Sequence, residues 1–197
     1  MNSTVAREWN HNIHYYEFVL CAVPPNCGLV LDVGCGRGLL TRQLASACGL
    51  VVGMDNDYAS LSSAKKADGS ATYIHGDAVR HPFSDSTFDF IAVVAALHHL
   101  PLAAALECFR DLLRPGGVLA IVGLYRASSF ADYLVAAAAL PLSRVLRLRR
   151  GYSDVGAPLH EPLETLRQIR SGCARLLPGI VIRRRLLFRY TAIWRKP

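Results

Sequence analysis

Short runs of consecutive apolar residues alternate with segments of helical periodicity along the first two thirds of the chain. The runs predict five buried strands, at Gly28–Val33, Leu50–Met54, Ala71–Ile74, Phe88–Ala95 and Val118–Gly123. The intervening pattern predicts helices at Ile13–Val23, Leu39–Cys48, Tyr58–Ala67 and Leu102–Leu113. Strands separated by helices need crossover connections, which predicts an α/β fold with a mostly parallel sheet covered on both faces.

The pattern changes after residue 125. A long apolar helix is predicted over Ser128–Leu148, interrupted at Pro141, followed by a helix around Glu161–Ser171 and two tightly joined strands within Ile180–Ile193. We therefore predict one domain over residues 1–197. Its parts are a cap helix (1–27), a ligand-binding core (28–125), a helical lid or insertion (126–175) and a C-terminal strand pair (176–197).

Charge is distributed unevenly between these parts. Residues 1–120 hold 8 Lys+Arg against 11 Asp+Glu, whereas residues 121–197 hold 14 against 4. Such a basic region attracts nucleic acid, anionic lipid or an acidic substrate, or is merely a solvated surface. Without interleaved aromatic residues, nucleic acid is disfavoured. The apolar run Phe130–Leu142 is shorter than the roughly 20 residues that span a bilayer, but it leaves peripheral contact with a membrane surface open.

Six cysteines are present, with no C-x-x-C pair and no Cys/His cluster of zinc spacing. We therefore expect free thiols, no metal site and a cytoplasmic location. The first 16 residues show no basic segment followed by an apolar one, so no signal peptide is predicted.

The segment Asp32–Gly38 carries the strongest chemical signal. It reads G-x-G-x-G between a predicted buried strand and a helix, and Leu39 stands where the dinucleotide fingerprint needs its last glycine. Asp32 precedes the first glycine by two residues, and a carboxylate there repels phosphate oxygens. The loop therefore favours a cationic ligand over a pyrophosphate.

Further motifs follow in order: Val51–Asp55, Gly76-Asp77-Ala78, Ala95–Leu100 and Leu112–Gly117. With the glycine loop, they resemble the class I S-adenosylmethionine-dependent methyltransferases, in the small-molecule branch that includes quinone-pathway C-methyltransferases. The resemblance covers about residues 28–125. It implies a Rossmann-like doubly wound sheet of about seven strands, mostly parallel with an antiparallel C-terminal strand.

The resemblance implies S-adenosyl-L-methionine as cofactor and S-adenosyl-L-homocysteine as product. Its cofactor-binding positions fall on Asp32, Gly34, Cys35, Gly36, Gly38, Asp55, Asn56, Gly76, Asp77, Ala78 and Ala95. The glycine loop would pass the methionine part and ribose, with Asp32 on the ammonium and Asp55 on both ribose hydroxyls. Asn56, Asp77 and the Ala78 N–H would recognise adenine.

Ala95 would close the pocket floor near the sulfonium. His98, His99 and Tyr16 are candidate catalytic residues beside the acceptor. Adjacent histidines are expected to diverge, so that at most one of them faces the site. Structural roles also remain open: loop support for Asp32, a turn for Asp55 and for Asp77, a helix start or packing for the two histidines, and packing for Tyr16.

The expected reaction is direct in-line methyl transfer to a small, hydrophobic or aromatic acceptor. Two alternatives stay open: a nicotinamide-dependent oxidoreductase, and a non-catalytic protein that keeps the cofactor fold and docks through its basic C-terminal part. Ala95-Ala96-Leu97-His98 replaces the Asn/Asp-Pro-Pro-aromatic motif of amino-type nucleic-acid methyltransferases, which disfavours that class. The sequence leaves open whether O, N or C is methylated, and the oligomeric state.

Overall fold

The computed structural model describes residues 9–67, 69–150 and 161–197. Its strands are β1 (Leu29–Val33), β2 (Leu50–Asp55), β3 (Thr72–His75), β4 (Phe88–Val94), β5 (Leu113–Leu124), β6 (Val181–Arg184) and β7 (Arg189–Arg195). Its helices are α1 (Tyr16–Leu20), α2 (Leu39–Ala45), α3 (Tyr58–Ala67), α4 (Leu102–Leu112), α5 (Phe130–Arg150) and α6 (Leu166–Leu176). Single 3₁₀ turns occupy Ile13–Tyr15 and Leu97–His99.

The strands form one seven-stranded sheet in the order β3-β2-β1-β4-β5-β7-β6. Strands β1 to β5 pair in parallel, and β7 runs antiparallel to both β5 and β6. The predicted fold class is therefore confirmed. Strand order reverses between β1 and β4, and ligands of such sheets bind beside that switch point, where the strands end.

Alternate residues of the central strands enter different apolar clusters, because successive side chains point to opposite faces. Leu31 and Val33 pack with α4 and α6, whereas Val30 packs with α1 and α2. In the same way Ile91 lies on the first face and Phe90 on the second. Burial on both faces explains why these strands read as continuous apolar runs.

Several element boundaries differ from the sequence prediction. The predicted helix Ile13–Val23 is a 3₁₀ turn followed by the short α1. The predicted interruption at Pro141 is absent, because α5 runs unbroken from Phe130 to Arg150. Helix α6 begins five residues later than predicted, since Thr165 and Gln168 form a capping box in which the Gln168 N–H donates to the Thr165 hydroxyl.

Strand β5 begins at Leu113, before the Pro-Gly-Gly segment that was expected to precede it. Its pairing with β4 is irregular there, because the partner register jumps from Leu113 to Val118 over two residues of β4. Among the described helices, none is long and apolar enough to cross a membrane.

Candidate active site

The glycine loop between β1 and α2 adopts a conformation that side chains disfavour. Gly34, Gly36 and Gly38 have φ angles of +69°, +53° and +71°. A Cβ on Gly34 would lie 2.4 Å from the Ala96 Cβ, whereas a Cβ on Gly36 would meet no heavy atom within 4 Å. Ala96 therefore leaves no room for a side chain at Gly34, whereas the open space at Gly36 lets a ligand approach the backbone.

Asp55 ties the end of β2 to this loop. Its Oδ2 accepts the Gly36 N–H at 2.7 Å, and its Oδ1 accepts the Asp57 N–H at 2.8 Å. The Met54 carbonyl accepts the Gly34 and Cys35 N–H groups at 2.8 and 3.1 Å. A carboxylate has about four lone-pair sites, so the Asp55 oxygens retain capacity for the hydroxyls of a ligand.

Asp32 lies below the loop and is only 2% exposed. Its Oδ2 accepts the hydroxyl of Thr41, a fully buried residue of α2, at 2.6 Å. Burial raises the pKa of Asp32 to about 7, the Thr41 hydrogen bond opposes that rise, and the nearby Asp55 charge adds to it. The Asp32 carboxyl is therefore held by α2 directly behind the loop, and its pKa lies well above the usual range of an aspartate.

Thr41 was not among the predicted site residues. The signal for it was weak: a threonine in the first turn of a helix, nine positions after an acidic residue. Tyr73 was also missed. Its hydroxyl would lie 2.4 Å from a Cβ on Gly38, so Tyr73 packs directly against the loop and makes that glycine necessary.

The Cys35 side chain turns away from the open side of the loop. It is buried in a cluster with Leu61, Ala64 and Tyr73. Burial is also the largest cause that raises the pKa of its thiol, and the charges of Asp32 and Asp55 act in the same direction. A thiol in this environment is an inert packing group, so Cys35 offers a ligand its backbone.

The turn after β3 lies at the same carboxyl end of the sheet as the glycine loop. The Gly76 N–H donates to the Asp55 carbonyl at 3.0 Å, and the Asn56 carbonyl is 3.0 Å from His75 Nε2. Asp77 is exposed, and its Oδ1 accepts the Val79 N–H at 2.9 Å, the geometry of an Asx turn. The structure thus brings Asn56, Gly76 and Asp77 beside Asp55, and Ala78 follows in the same turn.

Ala95 leaves β4 in a strained conformation. Its φ is +53°, which costs a non-glycine residue about 1–2 kcal/mol, and its N–H donates to the Val122 carbonyl at 2.7 Å. This bend sends Ala96 against Gly34, so the ends of β1 and β4 are in contact. Strain of this kind is found at functional sites more often than elsewhere.

The two histidines that follow lie together. The expectation that their rings diverge is wrong, because the ring centroids of His98 and His99 are 3.9 Å apart at an interplanar angle of 38°. The 3₁₀ turn Leu97–His99 brings consecutive side chains closer than an extended chain would. His98 is half-buried and His99 exposed, three to four residues after Ala95.

Tyr16 has different surroundings. It is half-buried and packs against the apolar cluster that Val19, Leu40 and Leu44 form on the α1–α2 face. Its neighbour Tyr15 packs against the same cluster and also donates its hydroxyl to the Leu186 carbonyl at 2.8 Å. The N-terminal segment 9–15, called the leader below, is therefore bound to the β6–β7 turn.

Comparison with known proteins identifies the family. The family described as "Methyltransferase domain" matches residues 31–121. An uncharacterized methyltransferase of Mycobacterium tuberculosis is 35% identical over 96% of this chain and 98% of its own length. The chain belongs to the class I S-adenosylmethionine-dependent methyltransferases. The present chain is also 34% identical to a demethylmenaquinone methyltransferase of Roseiflexus, over 59% of this chain and 48% of that protein.

A solved S-adenosylmethionine-dependent methyltransferase of Methanosarcina mazei shares the fold. It aligns with a TM-score of 0.63 at 19% identity, over 96% of this chain and 98% of its own. The comparisons favour neither the oxidoreductase nor the non-catalytic binding protein. In the described parts of the methyltransferase, no group of three or more His, Cys, Asp or Glu residues is arranged to hold a metal ion.

Proposed function

We propose that this methyltransferase binds S-adenosyl-L-methionine at the carboxyl ends of β1, β2 and β4 and transfers its methyl group to a small, hydrophobic or aromatic acceptor. The observation that carries the proposal is the 2.7 Å bond from the Gly36 N–H to Asp55. It holds a carboxylate beside a glycine with open space above it. A diol bound there would receive short, charge-assisted hydrogen bonds.

The charges of the edge fit this cofactor. Asp55 and the exposed Asp77 make the carboxyl end of the sheet acidic, which opposes a phosphate-bearing ligand and suits an ammonium and a sulfonium. A bound cation would also favour the ionised form of the buried Asp32. In the proposal, Asp55 accepts from the ribose hydroxyls and Asp32 acts on the ammonium, directly or through water. Gly34, Gly36 and Gly38 let the backbone approach the methionine part and ribose, and Cys35 contributes only its main chain.

The remaining positions complete the proposed pocket. Asn56 lines the adenine edge, Asp77 accepts from the adenine amino group, and Gly76 sets the turn that presents the Ala78 N–H to a ring nitrogen. Ala95 forms the floor below the reacting sulfur. Its small side chain leaves room for the acceptor to approach in line.

When bound, the cofactor supplies an activated methyl group whose bond to sulfur breaks with the electron pair left on sulfur. The chain's own residues then align the acceptor, exclude water and remove a proton where the acceptor carries one. His98 and His99 are the proposed proton acceptors, because they follow the Ala95 bend. Tyr16 is a weaker proposal, since it packs in the α1–α2 cluster.

Similarity to a demethylmenaquinone methyltransferase supports a hydrophobic or aromatic acceptor for this chain. A small-molecule acceptor also agrees with the sequence after β4, where the motif of amino-type nucleic-acid methyltransferases is absent.

Isothermal titration calorimetry with S-adenosyl-L-homocysteine tests the cofactor. We expect micromolar binding, about −8 kcal/mol, weakened at least about tenfold in Asp55→Ala. The matched control is Asp89→Ala, because Asp89 also accepts two backbone N–H groups but lies at the other end of the sheet. Folded protein that binds no S-adenosyl-L-homocysteine, or equal weakening in both variants, contradicts the proposal.

A separate measurement tests the histidines. If one of them is the base, its alanine variant lowers kcat by roughly 10²–10⁴-fold while the affinity for S-adenosyl-L-homocysteine stays unchanged. Turnover with a panel of apolar aromatic acceptors, compared for His98→Ala, His99→Ala and Tyr16→Phe, identifies which side chain acts. Unchanged kcat in all three leaves alignment alone as the contribution of the chain.

A further inference from the structure

Helix α5 turns polar side chains toward the protein and large apolar side chains toward solvent. Asp132 and Ser143 are buried, whereas Phe130 and Leu148 are 78% and 88% exposed. A surface helix of a globular protein shows the opposite arrangement, because burial of apolar area stabilises the fold. Packing within the part of the chain that the structure describes does not account for this outer face.

Specific contacts fix the rotation of α5. Asp132 Oδ1 forms an ion pair with Arg184 Nη2 of β6 at 2.7 Å, and Ser143 Oγ is 2.9 Å from His11 Nε2 of the leader. Ala139 packs in a buried cluster with Trp9 and Leu187. The inner face is therefore defined at three points along the helix, so the exposure of the outer face follows from contacts that hold the helix in place.

The outer face is an apolar stripe along most of the helix. Its exposed members are Phe130, Tyr133, Leu134, Leu140, Val145 and Leu148. At 1.5 Å per residue, the span from Phe130 to Leu148 is about 27 Å. The β6–β7 turn packs on the inner side of α5 through Leu187 and exposes two more apolar side chains, Leu186 and Phe188.

The charges beside the stripe have one sign. Arg144, Arg147 and Arg149 are exposed near the end of α5, and Asp132 on the inner face is the one acidic residue between positions 130 and 150. Arginines at a helix C-terminus also complement the helix dipole, but that role does not require apolar neighbours. An exposed apolar stripe with arginines at its end is the pattern of a helix that lies in a membrane interface.

We propose that α5 binds the surface of an anionic membrane, with its apolar stripe among the lipid chains and its arginines at the lipid phosphates. Long arginine side chains reach the headgroups while the helix lies in the plane of the interface. Insertion across the bilayer is not involved, because none of the described helices meets the length and apolarity that spanning requires. The proposal does not depend on the identity of the methyl acceptor.

Charge complementarity favours lipid over a second copy of the chain. A two-fold dimer through α5 would place Arg144, Arg147 and Arg149 of both copies in one interface whose α5 surface offers no acidic partner, because Asp132 faces inward and pairs with Arg184. An anionic bilayer supplies the opposite charge and an apolar interior together. An acidic protein with an apolar groove is the alternative that failure to bind anionic vesicles would favour.

Sedimentation with vesicles tests the proposal on the full chain. We expect binding to phosphatidylglycerol vesicles, no measurable binding to phosphatidylcholine vesicles, and weaker binding as salt rises. Leu134→Glu/Leu148→Glu should lower partitioning at least about tenfold, since burial of one leucine contributes about 1.5–3 kcal/mol. Arg144→Gln/Arg149→Gln should lower it about fivefold per arginine, the equivalent of about 1 kcal/mol each.

Leu50→Glu is the matched control. Leu50 is 69% exposed but begins β2 at the amino end of the sheet, so this variant should bind vesicles as the parent does. Circular dichroism checks that each variant is folded. The proposal is overturned by failure to bind anionic vesicles, by equal binding to neutral ones, or by a leucine pair variant that binds like the parent. It is also overturned if gel filtration shows a dimer that depends on those leucines.

Discussion

The carboxyl and amino ends of the sheet each hold an aspartate that accepts two backbone N–H groups. At the carboxyl end Asp55 binds Gly36 and Asp57 at 2.7 and 2.8 Å. At the amino end Asp89 binds Gly28 and Leu29 at 3.0 and 2.8 Å. Hydrogen bonding alone therefore does not distinguish the candidate site from a structural loop.

The surroundings of the two aspartates differ. Asp89 also forms an ion pair with Arg114 at 2.9 Å, so a cation of the chain already occupies its remaining side. Partial burial raises the pKa of Asp89, but the Leu29 and Gly28 N–H groups and Arg114 outweigh it and leave the pKa below its usual value. Asp55 instead faces a glycine with open space above it. Unfilled space and unused acceptor capacity are therefore what single out Asp55 as the proposed ligand-binding carboxylate.

The largest expected effect contrasts two glycines of the carboxyl end. Gly34→Ala places a Cβ 2.4 Å from Ala96 in a φ of +69°, so we expect a loss of about 2–5 kcal/mol in the free energy of unfolding. Gly36→Ala carries the same backbone strain without the collision and should cost about 1–2 kcal/mol. Urea unfolding of both variants measures the difference. Equal losses would mean that the contact between the ends of β1 and β4 does not constrain the loop.

The next effect concerns pH, and the two ends of the sheet should respond with opposite sign. The folded pKa of Asp32 is about 7 against an unfolded value near 3.8, so the folded state retains a proton that the unfolded state has lost. Its contribution is complete below pH 3.8 and is lost as pH rises through about 7. We expect the unfolding free energy of the parent to fall over that window, by up to about 4 kcal/mol.

Asp32→Asn keeps an acceptor for Thr41 and should remove that decline, which unfolding curves at a series of pH values will show. The lowered pKa of Asp89 gives the reverse dependence: its contribution is present above the unfolded pKa and is lost as pH falls through the folded one. Asp89→Asn should therefore alter the acid side of the stability profile. A parallel shift of both variants at all pH values would refute the assignment.

A third prediction compares stability and cofactor affinity in alanine variants of the two aspartates. Asp89→Ala leaves the Gly28 and Leu29 N–H groups and Arg114 without their carboxylate, so the unfolding free energy should fall. The loss should be at most about 1.5–3 kcal/mol, because solvent screens the charges at this partly exposed site. Cofactor affinity should not change. Asp55→Ala should show its main loss in cofactor affinity. Thermal unfolding with and without S-adenosyl-L-homocysteine separates these outcomes, and a cofactor-dependent defect in Asp89→Ala would erase the distinction between the ends.

The sequence was sufficient for the sheet because the strands are buried on both faces, and such strands appear as unbroken apolar runs. The family resemblance also pointed to Asp55, which the structure places beside the loop, and to Asp77, which follows β3; their roles in cofactor binding stay predictions. Thr41 and Tyr73 could not be predicted, since their contacts with Asp32 and Gly38 arise from packing between elements distant in sequence. The start of α6 was misplaced, although the Thr165-x-x-Gln168 capping box was legible in the sequence.

Helix α5 shows what the pattern of apolar residues can and cannot predict. Its apolar residues predicted a helix, but the pattern alone does not say which side faces the protein. The small and polar residues Ala139, Asp132 and Ser143 face inward because β6 and the leader supply partners for them. That outcome depends on tertiary contacts, which single-sequence reasoning does not provide.

The smallest expected effect lies where the leader meets the C-terminal strands. Tyr15→Phe removes only the hydroxyl that donates to the Leu186 carbonyl at 2.8 Å, and this bond is exposed, so the cost in unfolding free energy should be about 0.5–1 kcal/mol. Hydrogen exchange of the β6–β7 turn is the sensitive measurement, because a local opening raises exchange there before the whole fold is affected. Faster exchange in that turn with unchanged exchange at the amino end would show that the leader and the carboxyl end form one stabilising unit. Faster exchange at both ends would show instead that the bond contributes to the stability of the entire sheet.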